Sequence, residues 1–171
     1  MPSPALFGIS VAFGLAVWGA VAWLYIWPAL RIRPSPENLK PILLLHGFRF
    51  LGLVFVMPGV VSPGLPAAFA QPVAYGDFIT ATLALLALTT LGTRAGTAVT
   101  WVFNTFGTAD LLFAFYQGNG ISLPDKPGLL GAGYFILAAY VPLLFITHGM
   151  VYRMLTRAKV AAPSHRKLST A

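Results

Sequence analysis

Five long apolar runs, each reaching or approaching the roughly 20 residues that cross a hydrocarbon core of about 30 Å, dictate what this chain can become. They cover about residues 5–30, 41–61, 78–93, 95–117 and 128–153. The runs are continuously apolar rather than alternating, and too long for barrel strands, so they read as helices. Such a chain has little with which to face water. Charged residues make up 9% of it, with only four acidic side chains, Glu37, Asp77, Asp110 and Asp125; a soluble domain carries about a quarter. The expectation is an all-α, polytopic membrane protein: one bundle of five transmembrane helices over residues 1–155, then a basic tail over 156–171.

The first run contains a small-x-small site at Ala20-Val21-Ala22, but no Lys or Arg precedes it and its apolar stretch continues to Leu30. It therefore reads as a membrane helix, not a secretory leader. Trp18, Trp23, Tyr25 and Trp27 gather toward its end as an interfacial belt. With five crossings, Arg31, Arg33, Lys40, Arg94, Arg153, Arg157, Lys159, Arg166 and Lys167 all fall on one side. Only Lys126, beside Asp125, lies opposite, and Arg49 is left in the membrane. The positive-inside rule then puts the N-terminus outside and the tail in the cytoplasm, in a bacterial-type plasma (inner) membrane. The net charge of +7 thus marks topology and suits contact with anionic lipid rather than nucleic acid. Membrane lipid is the expected partner, and an oligomer is compatible with the sequence.

The connection "SPGLPAAFAQPVAYGD" is proline-rich and reads as a segment lying along the outer interface, with Gly76-Asp77 capping the third helix. Gly8, Ala12, Ala16 and Ala20 recur every four residues in the first run and read as a packing seam.

The second run carries His46 and Arg49 inside it. At 1.5 Å of rise per residue, His46 lies roughly 8 Å and Arg49 roughly 12 Å from its inner end, and His148 roughly 8 Å from the inner end of the fifth run. Asn104 lies roughly 12 Å and Asp110 roughly 20 Å from the inner end of the fourth. His46 and Arg49, three residues apart, share a face. Thr97, Thr100, Asn104 and Thr108 form a polar stripe, with Asp110 about 120° around from Asn104. Pro142 removes a backbone bond before His148, and Gly47 and Gly149 beside the histidines leave room for a helix or flat ligand.

Ionisable groups within a membrane usually face the bundle interior and pair, and mark sites. A plainer reading stands beside that one. Side chains tilt toward their helix's N-terminus, so Arg49 and His46 can snorkel to the inner headgroups. Asp110 can be a buried group bonded to a neighbouring helix, with Arg49 in reach only if it extends outward. For His148 the tilt runs deeper into the membrane.

Enzyme motifs are absent. "GLLGAG" at 128–133 lacks the Lys-Ser/Thr of a phosphate cradle, and there is no His-Glu-x-x-His and no neighbouring carboxylate pair. With no cysteine, thiolate nucleophiles and Cys-based metal sites are excluded.

Several strings, "FRFLGLVFV", "PAAFAQPVAYGDF", "FNTFGTADLLFAF" and "VPLLFITHGMVYRML", resemble a group of uncharacterised bacterial multi-pass membrane proteins. That group shows an Arg-x-x-Gly helix, a Pro/Ala-rich loop ending in Gly-Asp, an Asn-x-x-Gly-x-x-Asp-Leu helix and a late helix with Pro and His. The resemblance covers roughly residues 48–155 and implies that Arg49, Asp77, Asn104, Gly107, Asp110 and His148 form one set. It implies no activity.

Three functions fit these residues. The first is a polar intramembrane pocket, opening toward the cytoplasmic half, that binds a small molecule or ion and serves transport. Arg49 would supply fixed positive charge, Asn104 hydrogen bonds, and Asp110, His148 and His46 further contacts, with no metal. The second is a b-type haem protein with His46 and His148 as axial ligands and Arg49 or Arg153 on the propionates. The third is a structural or assembly protein whose polar groups only specify helix packing.

Overall fold

The computed structural model of the protein describes residues 3–32 and 36–161. These are helical apart from short turns, with no strand among them. Arg33 and the tail from residue 162 onward lie outside the described residues. Five helices are long and apolar enough to cross a membrane: α1 (Ser3–Arg31), α2 (Glu37–Val56), α3 (Ala67–Thr89), α4 (Arg94–Gly120) and α5 (Ile136–Arg157). The burial pattern is that of a bundle turned inside out. Phe13, Leu24, Val102, Leu112 and Phe135 are exposed, while His46, Arg49, Asp77, Asn104, Thr147 and His148 are buried.

Helix α2 changes winding midway. Lys40–Gly47 is α-helical, and Phe48–Val56 is a 3₁₀-helix of nine residues, where such runs rarely exceed three or four. With three residues per turn, positions three apart align. Arg49, Gly52 and Phe55 accordingly form one buried line, continuing from His46. Ordinary α-helical winding would carry that line around the helix and turn part of it to the outside.

Helix α3 begins eleven residues earlier than the sequence suggests. The stretch expected as an interfacial loop, "AAFAQPVAYGD", is its first three turns, with Pro72 inside the helix. Proline has no N–H, so the carbonyl of Ala68, four residues back, loses its helical partner. Gln117 of α4 fills the gap, donating from Nε2 to Ala68 O at 3.2 Å. Asp77 is therefore mid-helix and not a cap. At the far end the turn into α4 follows local chemistry: Thr93 Oγ1 accepts from Gly96 N at 2.9 Å, capping α4.

Two further prolines within helices, Pro28 and Pro142, sit beside π-turns, which absorb the disrupted ladder. Ala22–Ile26 precedes Pro28, and Ile136–Tyr140 precedes Pro142. Gly14 of α1 packs on the Ala138 carbonyl that Pro142 leaves free. Around this contact α1 docks through Ser10, which accepts from the Tyr134 hydroxyl at 2.6 Å, and through Phe7, edge-on to Tyr134. The expected seam of Gly8, Ala12, Ala16 and Ala20 faces outward instead. Small size alone does not choose a helix face; the contacts of Tyr134, just ahead of α5, do.

Three layers stack along the bundle. At the end bearing Arg31, Lys40, Arg94, Arg153 and Arg157, an apolar cluster gathers Trp27, Leu43, Ala84, Phe103 and Val151. Arg153 and Arg157 stack over Trp27 at 4.5 and 5.3 Å. At the other end a second cluster gathers Phe55, Phe69, Val73, Leu123 and Leu130. There the loop after α2 meets the residues before α5, through Ser62 N to Leu129 O at 3.1 Å and Ala132 N to Val60 O at 3.3 Å. Between the clusters lies a polar layer.

Candidate functional site

Arg49 is the centre of that layer. Its side chain is fully enclosed and extends across the bundle, not back to the basic end, so the snorkelling reading does not hold. A guanidinium has five N–H donors; four of them make hydrogen bonds, and each of its three nitrogens is held. Nε donates to Asp77 Oδ1 at 2.7 Å. Nη1 donates to Gly107 O at 3.1 Å and to His148 Nε2 at 3.2 Å. Nη2 donates to Asp110 Oδ2 at 2.6 Å and makes an ion pair with Asp77 Oδ1 at 2.6 Å. Helices α3, α4 and α5 are thereby tied to α2 through one side chain. Charge-assisted bonds of this kind are about twice as strong as neutral ones.

Close approach is made possible by three glycines, each facing a polar side chain of a neighbouring helix. A Cβ on Gly52 would lie 2.6 Å from Asp77 Cβ and 2.7 Å from its Cγ. One on Gly76 would lie 2.7 Å from Asp110 Cγ. One on Gly107 would lie 2.7 Å from both His148 Cε1 and Thr80 Cγ2. The local pairs Arg-x-x-Gly, Gly-Asp and Asn-x-x-Gly-x-x-Asp thus interlock. Each helix offers a polar group and a seat for the next helix's polar group.

Hydrogen-bond directions fix the histidines. Asn104 Nδ2 donates to His148 O at 3.2 Å, which turns Asn104 Oδ1 toward His148 Nδ1 at 2.7 Å. His148 Nδ1 therefore carries the proton, and its Nε2 accepts from Arg49; the imidazole is neutral. The Thr147 hydroxyl donates to Leu143 O at 2.9 Å, so it accepts from His46 Nε2 at 2.9 Å. The same argument puts a proton on His46 Nε2, and His46 Nδ1 is left without a partner among the described residues. Both rings pack on Phe103, with centroids 5.0 and 5.4 Å away.

On the side of the polar layer away from the basic end, the bundle holds a partly open cavity of about 170 Å³. Its walls include Val11 of α1, Phe55 of α2, Val73 of α3, Leu111 of α4 and Leu137 of α5, and Asp77 and Asp110 also line it. The pocket expected from the sequence was polar-walled and opened toward the basic, cytoplasmic half. This cavity is apolar and lies at the opposite end, because the histidine side of the polar layer is filled by Phe103 and its neighbours.

His46, Arg49, Asn104, Asp110 and His148 are brought together in one layer; of these, only Asp110 lines the cavity. Thr97 is exposed, while Thr100 and Thr108 bond back to Gly96 O and Asn104 O of their own helix, each at 2.7 Å. The threonine stripe therefore contributes nothing across the bundle. Asp77 and Thr147 were not picked out as site residues. The sequence signals Asp77 through the resemblance that sets Gly76-Asp77 beside Arg49-x-x-Gly52, while a Gly-Asp pair ahead of an apolar run by itself suggests a cap.

The haem arrangement does not fit this packing. The His46 and His148 rings touch, with centroids 4.3 Å apart, which leaves no slot for an iron and macrocycle between them. Three of their four nitrogens already bond to Thr147, Asn104 and Arg49. Arg153 stacks on Trp27 and is not turned toward the histidines. A Cβ on Gly47 would meet the Leu85 side chain at 3.3 Å, so that glycine serves helix packing.

No curated protein and no solved structure is detectably similar to the chain. Residues 6–156 match a family described as a domain of unknown function (DUF8737), and the chain belongs to that family.

Proposed function

We propose that this protein is an integral membrane protein, with its basic end cytoplasmic, that binds a small and largely apolar molecule in the cavity beside Asp77 and Asp110. The supporting observation is the cavity itself: about 170 Å³ of unfilled space, walled by apolar side chains from all five helices and bounded by two carboxylates. Ligand sites are typically of this form, mostly apolar with a few placed polar groups. The positive-inside pattern puts this half of the bundle toward the outside of a bacterial-type inner membrane. One half filled and the other hollow about a central polar layer is the form of a carrier held in one state, so transport is the process we attach to the site.

A second reading, that the polar layer only specifies helix packing, is supported by the full enclosure of Arg49. The two readings separate at the cavity. Ala114 lines it, and Ala114→Phe would occupy the space without touching Arg49. In lipid nanodiscs, 1-hexanol should raise the unfolding temperature of the wild-type protein, since a ligand that binds only the native state stabilises it. The same alcohol should leave Ala114→Phe unmoved. An equal response from both proteins would support the packing reading instead.

A further inference from the structure

Which polar end such a molecule carries follows from what the cavity leaves available. Arg49 is fully enclosed, its three nitrogens are held within the polar layer, and it does not line the cavity, so it presents no donor there to receive an anion. Asn119 also lines the cavity, and one of its two Nδ2 N–H groups donates to Phe115 O of its own helix at 2.9 Å. Apart from the uncharged Asn119 amide, the polar side chains facing the space are the carboxylates of Asp77 and Asp110. No Lys or Arg lines the cavity among the described residues.

Charge adds a second constraint. The groups that meet at the layer are Arg49 and His46 from α2, Asp77 from α3, Asp110 from α4, and the neutral His148 with Tyr140 from α5. His46 Nε2 donates to Thr147 and the Tyr140 hydroxyl to Leu45 O, neither of them reaching a carboxylate, and α1 brings no titratable side chain to the cavity. One guanidinium faces two carboxylates. With both ionised, one negative charge remains uncompensated in a low-dielectric interior, where an unpaired ion is strongly disfavoured. Either a proton or a cation completes the site. Both cannot be held at once without restoring the imbalance in the opposite sign.

We infer that the ligand is an amphiphilic cation, an alkylammonium whose chain fills the apolar cavity, and that it binds in exchange for one proton held by the Asp77–Asp110 pair. This rests on the cavity being the ligand site. In the empty state one carboxyl O–H is present. As the ammonium head arrives, that O–H bond breaks, its proton passes to water, and the ammonium N–H groups donate to the two carboxylates. The site's net charge is the same before and after, and no oxidant or reductant takes part. Arg49 is a positioning residue here: it keeps Asp77 and Asp110 at one point and prevents the site from taking two cations.

The test compares n-hexylammonium with 1-hexanol on wild-type protein in phosphatidylcholine nanodiscs, by calorimetric titration in two buffers of different ionisation enthalpy, with empty nanodiscs subtracted. We expect the ammonium to bind at least about tenfold tighter than the alcohol, as a charge-assisted bond implies, with about one proton released per molecule. The alcohol should bind with none released. Asp110→Asn, checked for folding by thermal unfolding, should lose both the proton release and the preference for the ammonium. Alcohol and ammonium binding equally, or the ammonium binding with no proton released, would overturn the exchange while leaving the cavity as a binding site. Failure of both probes to bind would remove the cavity reading itself.

Discussion

Each of helices α2 to α5 passes from an apolar layer through the polar layer to a second apolar layer, but the two apolar ends are built to different purposes. The end with Leu43, Ala84, Ala87 and Phe103, each 0% exposed, is filled. The opposite end, with Phe55, Phe69 and Val73, leaves about 170 Å³ empty. Both ends use the same residue types, so hydrophobicity does not explain the difference. Helix geometry does. On the filled side, α2 is α-helical and the aromatic rings of His46, His148 and Phe103 pack on one another. On the hollow side, the 3₁₀ half of α2 aligns Arg49, Gly52 and Phe55, and the glycine seats draw the carboxylates inward to its edge. The polar layer is what keeps the two ends distinct.

Removing the divider should have the largest effect. Arg49→Ala leaves two buried carboxylates without their cation, and breaking such a buried pair costs about 3–5 kcal/mol. Reversible unfolding in mixed micelles should show this loss, and Arg49→Lys should recover only part of it, since an ammonium cannot reproduce the fork. Next come substitutions that overfill. Ala84→Leu at the filled end and Gly107→Ala in the polar layer should each lose about 1–3 kcal/mol in the same assay. The same change at the hollow end, Ala114→Leu, should cost nothing and can add up to about 1 kcal/mol by filling space. If Ala84→Leu and Ala114→Leu behave alike, the contrast between the ends is wrong. The smallest effect belongs to Gly149→Ala, where a Cβ meets nothing within 4 Å, and the change should stay within about 0.5 kcal/mol.

The helical spans are legible in the sequence because continuous apolarity at that length has few other meanings. Their ends are less so. Pro72 reads as a breaker, and the Gln117 side chain that satisfies Ala68 lies 49 residues away in sequence, beyond any local rule. That single misreading displaced the start of α3 and turned Asp77 from an ion-pair partner into a cap. The shared face of His46 and Arg49 is visible because three-residue spacing aligns in both helix types. The direction of Arg49 is not visible, since side-chain tilt predicts a path toward the headgroups and two carboxylates on other helices outweigh it. Equal depth of His46 and His148 is legible too, but lateral distance is not, and depth alone suited a haem pair that contact between the rings rules out. Which end of the bundle holds the cavity depends on which apolar layer packs fully, a tertiary property that no periodicity encodes.

With no cysteine in the chain, single introduced thiols report directly on the hollow end. Ala114→Cys places one on the cavity wall, and Leu112→Cys places one outside, where Leu112 is 57% exposed. The most direct measurement is the rate of N-ethylmaleimide labelling of each in native membranes, with and without n-hexylammonium or 1-hexanol. The account predicts that an alkyl probe slows labelling at Ala114→Cys and leaves Leu112→Cys unchanged. Equal rates with and without probe at Ala114→Cys, or the same slowing at both positions, would contradict it.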